Sequence, residues 1–564
     1  MRASSRWALA AIVLAAIGIR LWPVRVHSHW GSDVGEYYAI LRDLLASGRV
    51  STDYAGWGIT YPYFPGMFFI QGAAVDVGGL SAPVVVNLLV PVLGGLVALP
   101  VFVLAASLAR DERAGLFAAA LVAVAFPHAF PTSHTAPATL GDLLAIASLL
   151  LFVKVRRDSR ALPLVVLVGL GLVVTHHLSL YFLLVMEVAS LFVRGLIRPA
   201  RLSRGTLREI GALGLVVAAT LGFWLGYATT FRDGILRDVD VQPWWLLLAA
   251  APVAVGLMAL LVVLRRRTAW RYRPRLPDLR RSAILAGVAL AAVYVVLADA
   301  VFVFIPGTTI ALSPAALILF APLYVLVSFS AAGRQALDMH PDGIRPTAWL
   351  LGLVGSVLVG AAFAPRTLIP YRHMEYVIIV LAIFAGLGFV RTLDLAALRP
   401  RARSLATLAC AGLLAASALS VYPSRDVLGG WQEGLRPQAV DAAYWSRDRV
   451  DGLLLADHQA SNVAFGFGGV DATWDRTTAP LLAPTFEDAR AGMLAVPSPS
   501  GVRDVAYAWV DEDTERGVAL YPWEPAAPMP PEAVAKFSES PFVKLFDNGF
   551  ARVYWVAWGC DGSC

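Results

Sequence analysis

Ser32-Asp33-Val34-Gly35-Glu36-Tyr37-Tyr38 sets two carboxylates three residues apart, shortly after the first apolar run of a 564-residue chain. A carboxylate beside an acceptor group can take or hold its proton during transfer. The same spacing, Asp at a helix N-cap and Glu three residues on, also fits a capping box. The two roles are compatible, with Asp33 favoured for chemistry and Glu36 for the cap. Asp33, Glu36, Tyr37 and Ile40 have the spacing of one helix face. A second acid, Asp142 in "TLGDLLAIA", opens an apolar run. An Asp entering hydrocarbon costs about 2.5–3.5 kcal/mol on insertion scales, so it caps its helix or has a partner or a task. His176-His177 in "VVTHHLSLYF" stand at another span end. Adjacent residues point to different sides of a helix, so either they make interfacial hydrogen bonds or one of them joins Asp33 or Asp142. "PYRHMEYV" places Arg372 and Glu375 at the start of a late apolar run. A guanidinium there suits a phosphate as a bidentate donor, or snorkels to headgroups. Arg366 competes for the same role.

These residues must be positioned by membrane spans. The chain is 58% hydrophobic and 15% charged, where a soluble domain averages about 25% charged. Apolar runs lie near 7–22, 82–108, 114–131, 140–155, 161–177, 178–195, 209–230, 244–264, 282–304, 309–330, 347–364, 373–390 and 404–421. The expected fold is an α-helical multi-span membrane protein of about thirteen helices. The first run lacks a small-residue cleavage site and reads as a span. Basic residues cluster in alternate loops, at 110–113, 154–160, 194–208, 265–281, 334–345 and 391–403. That bias puts these loops and the N-terminus in the cytoplasm. The remaining loops, including the long first one at about 25–80, then face outward. Eight of the nine histidines, His134 among them, fall on that outer side.

Residues 422–564 carry 11 Lys and Arg against 20 Asp and Glu, whereas residues 1–421 carry 35 against 20. A basic multi-span domain, 1–421, is therefore followed by an acidic, extracytoplasmic α/β domain, 422–564. "DGLLLA", "DVAYAWV" and "FARVYWVAW" supply strand-like pieces. Asp457-His458 in "LLLADHQAS" follows the first of these and either contacts the acceptor or, the favoured reading, forms a loop turn. Cys560 and Cys564 close the chain as free thiols or as a small disulfide.

This order of motifs resembles the GT-C membrane glycosyltransferases, and most of all the catalytic subunit of oligosaccharyltransferase in its archaeal and bacterial forms. Polyprenyl-phosphate-mannose-dependent mannosyltransferases are similar too. The resemblance spans the chain in topology and rests on about four short motifs in residues. It implies an inverting transfer of a sugar or oligosaccharide from a polyprenyl (dolichyl-type) phosphate or pyrophosphate to an extracytoplasmic protein or glycan. "SDVGEYY" matches the first-loop acidic motif, making Asp33 the base or the acceptor-side metal ligand. "TSHTAPATLGDLLAIA" matches the second-loop motif. Asp33, Asp142 and His177 are then the implied ligands of Mg2+ or Mn2+. "PYRHMEYV" matches the donor-phosphate segment with Arg372, and Glu36, His134, His176 and Glu375 are supporting residues. The expected partners are the lipid-linked donor, the bilayer and the acceptor, with no nucleic acid.

The chain departs from the oligosaccharyltransferase pattern in three places. It has no Trp-Trp-Asp-Tyr-Gly motif, Trp474-Asp475 in "DATWDRT" being the nearest fragment. The loop "FVFIPGTTIALSP" lacks an acid, and the second loop has one acid where two are usual. Metal dependence and sequon recognition thus stay open. The alternatives are a transporter or flippase for a lipid-linked sugar and a non-catalytic relative. Against transport, ionisable residues gather at the outer rim, with Glu187 and Asp299 the main ones at mid-membrane. An enzyme requires Asp33, Asp142 and Arg372 to converge on one cavity.

Overall fold

The computed structural model describes residues 1–197, 203–238, 312–337, 342–363, 370–396, 400–498, 500–520 and 526–559, with a few single positions between. The runs expected at 244–264 and 282–304 lie wholly or mostly outside the described residues, as do Asp299, Arg366, Cys560 and Cys564.

Seven described helices are long and apolar enough to cross a membrane: Ala3–Leu21, Ala82–Ala109, Pro137–Val155, His177–Leu196, Arg204–Gly226, Tyr371–Asp394 and Pro400–Leu419. Glu112–Val124 and Phe126–Ser133 make an eighth, bent by 67°. Ala161–Val173 and Ile344–Gly360 are shorter apolar helices. The run at 309–330 does not form one helix. It is broken into Ala315–Leu319, Ala321–Ser328 and, beyond it, Ser330–Leu337. Pro322, which lacks an N–H, starts the second piece.

The bend in the eighth span has a local cause. Pro127 supplies no N–H and its ring clashes with the carbonyl four residues earlier, that of Ala123. Buried Arg20 of the first helix donates to that carbonyl at 3.3 Å, to Thr132 Oγ1 at 2.8 Å, and pairs with His128 Nδ1 at 2.9 Å.

Pro370–Ala396 packs on Glu112–Val124, Ser330–Leu337 and Ile344–Phe363. Gly333 and Gly388 lie at one of these crossings, where a Cβ on either would overlap a backbone carbonyl of the facing helix. Small residues let the helices approach this closely. Midway along the His177–Ile197 helix, Glu187 is paired. Arg345 contacts it at 3.5 Å and Glu209 at 2.8 Å, and Arg194 meets Glu209 at 2.6 Å. Charges buried this deeply persist only when paired.

The tail forms a four-stranded sheet in the order β3 (Leu453–Leu455), β6 (Val505–Asp511), β8 (Ala551–Val556), β7 (Phe542–Asp547). β3 is parallel to β6 and the other pairs are antiparallel, while β4 (Val496–Ser498) and β5 (Gly501–Arg503) form a separate antiparallel pair. Side chains alternate across a strand, and here both faces are covered. Leu453, Leu455, Ala508, Val510, Tyr554 and Val556 pack on the tail's own Phe486–Met493 helix and on Ala533 and Phe537. Leu454, Trp509 and Val553 face the other way and join Val34, Tyr37, Leu41, Met67, Phe68 and Val90 in one core. Two-residue strands seal the junction, His29–Trp30 (β1) pairing antiparallel with Gly434–Leu435 (β2). The tail therefore shares a hydrophobic core with the 25–80 segment.

Candidate active site

Asp33 precedes the Val34–Ser47 helix, yet its carboxylate makes no cap hydrogen bond. The cap comes from the tail, where Asn462 Oδ1 accepts the Glu36 N–H at 3.1 Å. The two backbones touch here. A Cβ on Gly35 would collide with the Asn462 carbonyl, and one on Gly466 would collide with Gly35. Glu36 does not serve the cap either, which corrects the capping-box assignment. Its carboxylate turns into the first loop and accepts the N–H groups of Trp57 at 2.9 Å and Gly58 at 2.7 Å. Each carboxylate oxygen is taken by one loop N–H, whereas a capping box would have turned the carboxylate back to the Asp33 N–H. Burial pushes the Glu36 carboxyl up to about 7, against the lowering effect of those two N–H groups.

The loop that Glu36 pins delivers Tyr61. The Tyr61 N–H bonds to the Gly58 carbonyl at 2.9 Å, and its hydroxyl donates to Asp33 Oδ2 at 2.9 Å. The other oxygen, Oδ1, faces His458 Nε2 at 3.5 Å. Burial raises the Asp33 pKa, but His458, Tyr61 and the charge of Arg372 outweigh it and hold the carboxyl below its ordinary value. His458 is shifted the other way. Burial lowers it, and Asp33, with Asp475 and Asp457 beyond, raises it by more.

Arg372 lies in the first turn of Pro370–Ala396, within electrostatic reach of Asp33, Tyr61 and Glu375. Glu375 lies against Asp142. Asp142 Oδ1 accepts the Tyr376 hydroxyl at 2.5 Å and the Ser179 hydroxyl at 3.1 Å. Two adjacent buried carboxyls need compensating positive charge or a proton, and Arg372 and Arg20 both lie within reach. Arg372 is thus a cation within electrostatic reach of both Asp33 and Glu375, the partner of Asp142.

No protein-family model matches the chain, and no curated protein matches it by sequence. Solved structures do. The oligosaccharyltransferase of Archaeoglobus fulgidus, tethered with an acceptor peptide containing the NVT sequon, superposes with a TM-score of 0.59 at 13% identity, over 91% of this chain and 70% of that one. The same organism's AglB, in complex with an inhibitory peptide and a dolichol-phosphate, gives 0.58 at 12% identity, over 99% and 75%. The arabinofuranosyltransferase AftD from Mycobacteria gives 0.54 at 14% identity, over 99% of this chain and 40% of that one. The fold is of the GT-C glycosyltransferase type.

Within this GT-C fold the histidines separate. His176 Nδ1 accepts the Ser179 N–H at 3.2 Å and pairs with its hydroxyl at 2.8 Å, so it caps its helix and reaches Asp142 through Ser179. His177 is packed among the rings of Phe231 at 4.5 Å, His176 at 5.0 Å and Phe64 at 5.1 Å. His134 sits apart, against Phe130 at 5.0 Å and Trp30 at 5.8 Å. Among the described residues no group of three His, Cys, Asp or Glu is spaced to hold a metal ion. Asp33, Asp142 and His177 are accordingly not assembled as a ligand set. Asp142 and Glu375 are the carboxyls that do meet.

Several site residues went unread in the sequence. Tyr61, Asn462, Ser179 and Tyr376 carry no signal beyond being polar residues in apolar or loop surroundings. Arg20 had one, as a charge inside the first apolar run. The Asp457-His458 turn is the start of a short helix, His458–Val463, capped by Asp457, whose Oδ1 accepts the Ala460 N–H at 2.8 Å. The Trp474-Asp475 fragment also reaches the surroundings of Asp33 and His458. Asp475 Oδ1 accepts the Trp57 indole N–H at 3.0 Å, and Trp474 packs 5.8 Å from the His458 ring.

Proposed function

We propose that this chain transfers a sugar or oligosaccharide from a polyprenyl phosphate or pyrophosphate to an extracytoplasmic protein or glycan, inverting the anomeric carbon. The observation that carries this reading is a guanidinium, Arg372, within electrostatic reach of Glu375 and of Asp33, the carboxylate that the tail contacts through His458. In the reaction, the acceptor lone pair attacks C1 of the sugar. The C1–O bond to the phosphate breaks and its electron pair leaves with the phosphate. Arg372 offsets that growing negative charge, and a preorganised cation is most effective where charge develops. Asp33 accepts the acceptor's proton. As a carboxylate held below its usual range it is a weak base, suited to holding the N–H or O–H by hydrogen bond and taking the proton as the new bond forms.

The basic loops support a cytoplasmic N-terminus and an extracytoplasmic tail. The dolichol-phosphate in the AglB complex supports a polyprenyl carrier. Mg2+ or Mn2+, where used, would be held by Asp142 and Glu375, and would add positive charge at the leaving phosphate. No step above is routed through it.

The test is transfer of labelled sugar from a polyprenyl-linked donor by the full chain reconstituted in liposomes. Asp33→Ala should abolish transfer while leaving expression intact. Full activity in that variant would overturn the assignment of Asp33.

A further inference from the structure

We infer that His458 is a positioning residue for Asp33, so that the tail completes the catalytic centre and does not merely rest upon it. This extends the reading of Asp33 as the acceptor-side carboxylate. Relative exposure fixes the order of the two groups. The His458 side chain is 0% exposed and that of Asp33 is 20% exposed. Asp33 is therefore the member of the pair that an acceptor can reach, and His458 stands behind it.

The contact gives the carboxylate a second point of attachment. Tyr61 holds Oδ2 at 2.9 Å, and His458 Nε2 faces Oδ1 at 3.5 Å. Two contacts on two oxygens fix the plane of a carboxylate, where one leaves it free to rotate. His458 is itself held firmly. Its N–H donates to the Ala519 carbonyl at 2.9 Å, while Asp457 Oδ2 accepts the Ala519 N–H at 3.2 Å. The rings of Trp57 at 4.9 Å, Trp474 at 5.8 Å and Trp431 at 6.2 Å wall the imidazole in. Neither ring nitrogen has a hydrogen-bond partner among the described residues, and the polar contact of the ring is the 3.5 Å approach to Asp33 Oδ1. Burying a polar ring this way costs free energy that a phenyl ring in the same aromatic box would not. The imidazole is justified by what it does to Asp33.

The test compares His458→Gln, His458→Phe and His458→Ala in the full chain. Gln keeps an N–H donor near the Nε2 position, and Phe keeps the ring without a donor. Removing a group that orients a metal ligand costs about 10- to 100-fold, and a loss of that order is taken for a group that orients a reactive carboxylate. That loss is expected in kcat for Phe and Ala, with the KM of donor and acceptor unchanged and with Gln recovering most of the rate. Thermal midpoints supply a readout independent of turnover. Asp33→Asn and His458→Phe should be non-additive, the double variant melting no lower than the weaker single one. Wild-type kcat in His458→Phe, or additive midpoints, would overturn the proposal. Should the Ala variant fail to fold, Phe and Gln still fill the box and carry the comparison. A wild-type chain inactive with every polyprenyl donor would instead sink the glycosyl-transfer reading, and the midpoint cycle would still decide the His458 contact.

Discussion

The N–H of Glu36 is capped by Asn462, 426 residues further along the chain, and not by Asp33 three residues before it. This long-range bond releases the Asp33 carboxylate from the helix end and turns it over to Tyr61 and His458. Removing the Asn462 amide should therefore harm chemistry more than stability. Loss of a cap costs about 1 kcal/mol. Asn462→Ala should lower the thermal midpoint modestly and cut transfer severely, because Asp33 can then swing back to cap its own helix. Transfer that falls only in proportion to stability would count against this account.

Gly35→Ala probes the same junction sterically. A Cβ there collides with the backbone of Asn462, and overpacking of this kind costs about 1–3 kcal/mol. The tail should become accessible to limited proteolysis, while Gly18→Ala, whose Cβ meets nothing within 4 Å, should leave the digestion pattern unchanged.

Arg372→Lys keeps the charge but loses the planar fork. A hydrogen bond to a charged group is worth about 1.5–3 kcal/mol, or about 10- to 150-fold in rate. Arg372→Lys should lose a part of this and Arg372→Gln the whole of it, as read in kcat/KM for the lipid-linked donor. Equal activity in all three forms would remove the phosphate role from Arg372.

Glu36 titrates at about 7 in the folded chain, raised by burial from an ordinary value of 4.5. A carboxyl raised by folding binds its proton more tightly in the native state. Its contribution to stability is complete below about pH 4.5 and is lost as pH rises through about 7. Buried Asp457, also near 7, acts in the same direction. Glu36→Gln should flatten the fall in thermal midpoint between pH 4.5 and 7 without abolishing it, since Asp457 remains. At pH 7 the variant should also be less stable than wild type by about 1–3 kcal/mol, because one amide oxygen cannot serve both the Trp57 and the Gly58 N–H.

What the sequence determined by itself is local. Apolar runs mark spans because hydrocarbon demands them, and seven helices, or eight with the bent pair, answer to that pattern in the described residues. Acids and an arginine near span ends stand out because charge there is costly, and the order and sidedness of the motifs then favoured Asp33, Asp142 and Arg372 over neighbours such as Glu36 and Arg366. The alternation in "DVAYAWV" and "FARVYWVAW" announced strands β6 and β8. What only the tertiary structure decided is how the polar groups share their partners. Capping statistics gave Glu36 to the helix, and the fold gave it to a loop 21 residues on. Adjacent histidines looked like candidate ligands, and the fold made one a helix cap and set the other among rings. His458 looked like a turn residue and lies against Asp33. Hydropathy and spacing report on neighbours within a few turns of chain. A hydrogen bond depends on which distant backbone arrives first, and here that backbone comes from more than 400 residues away.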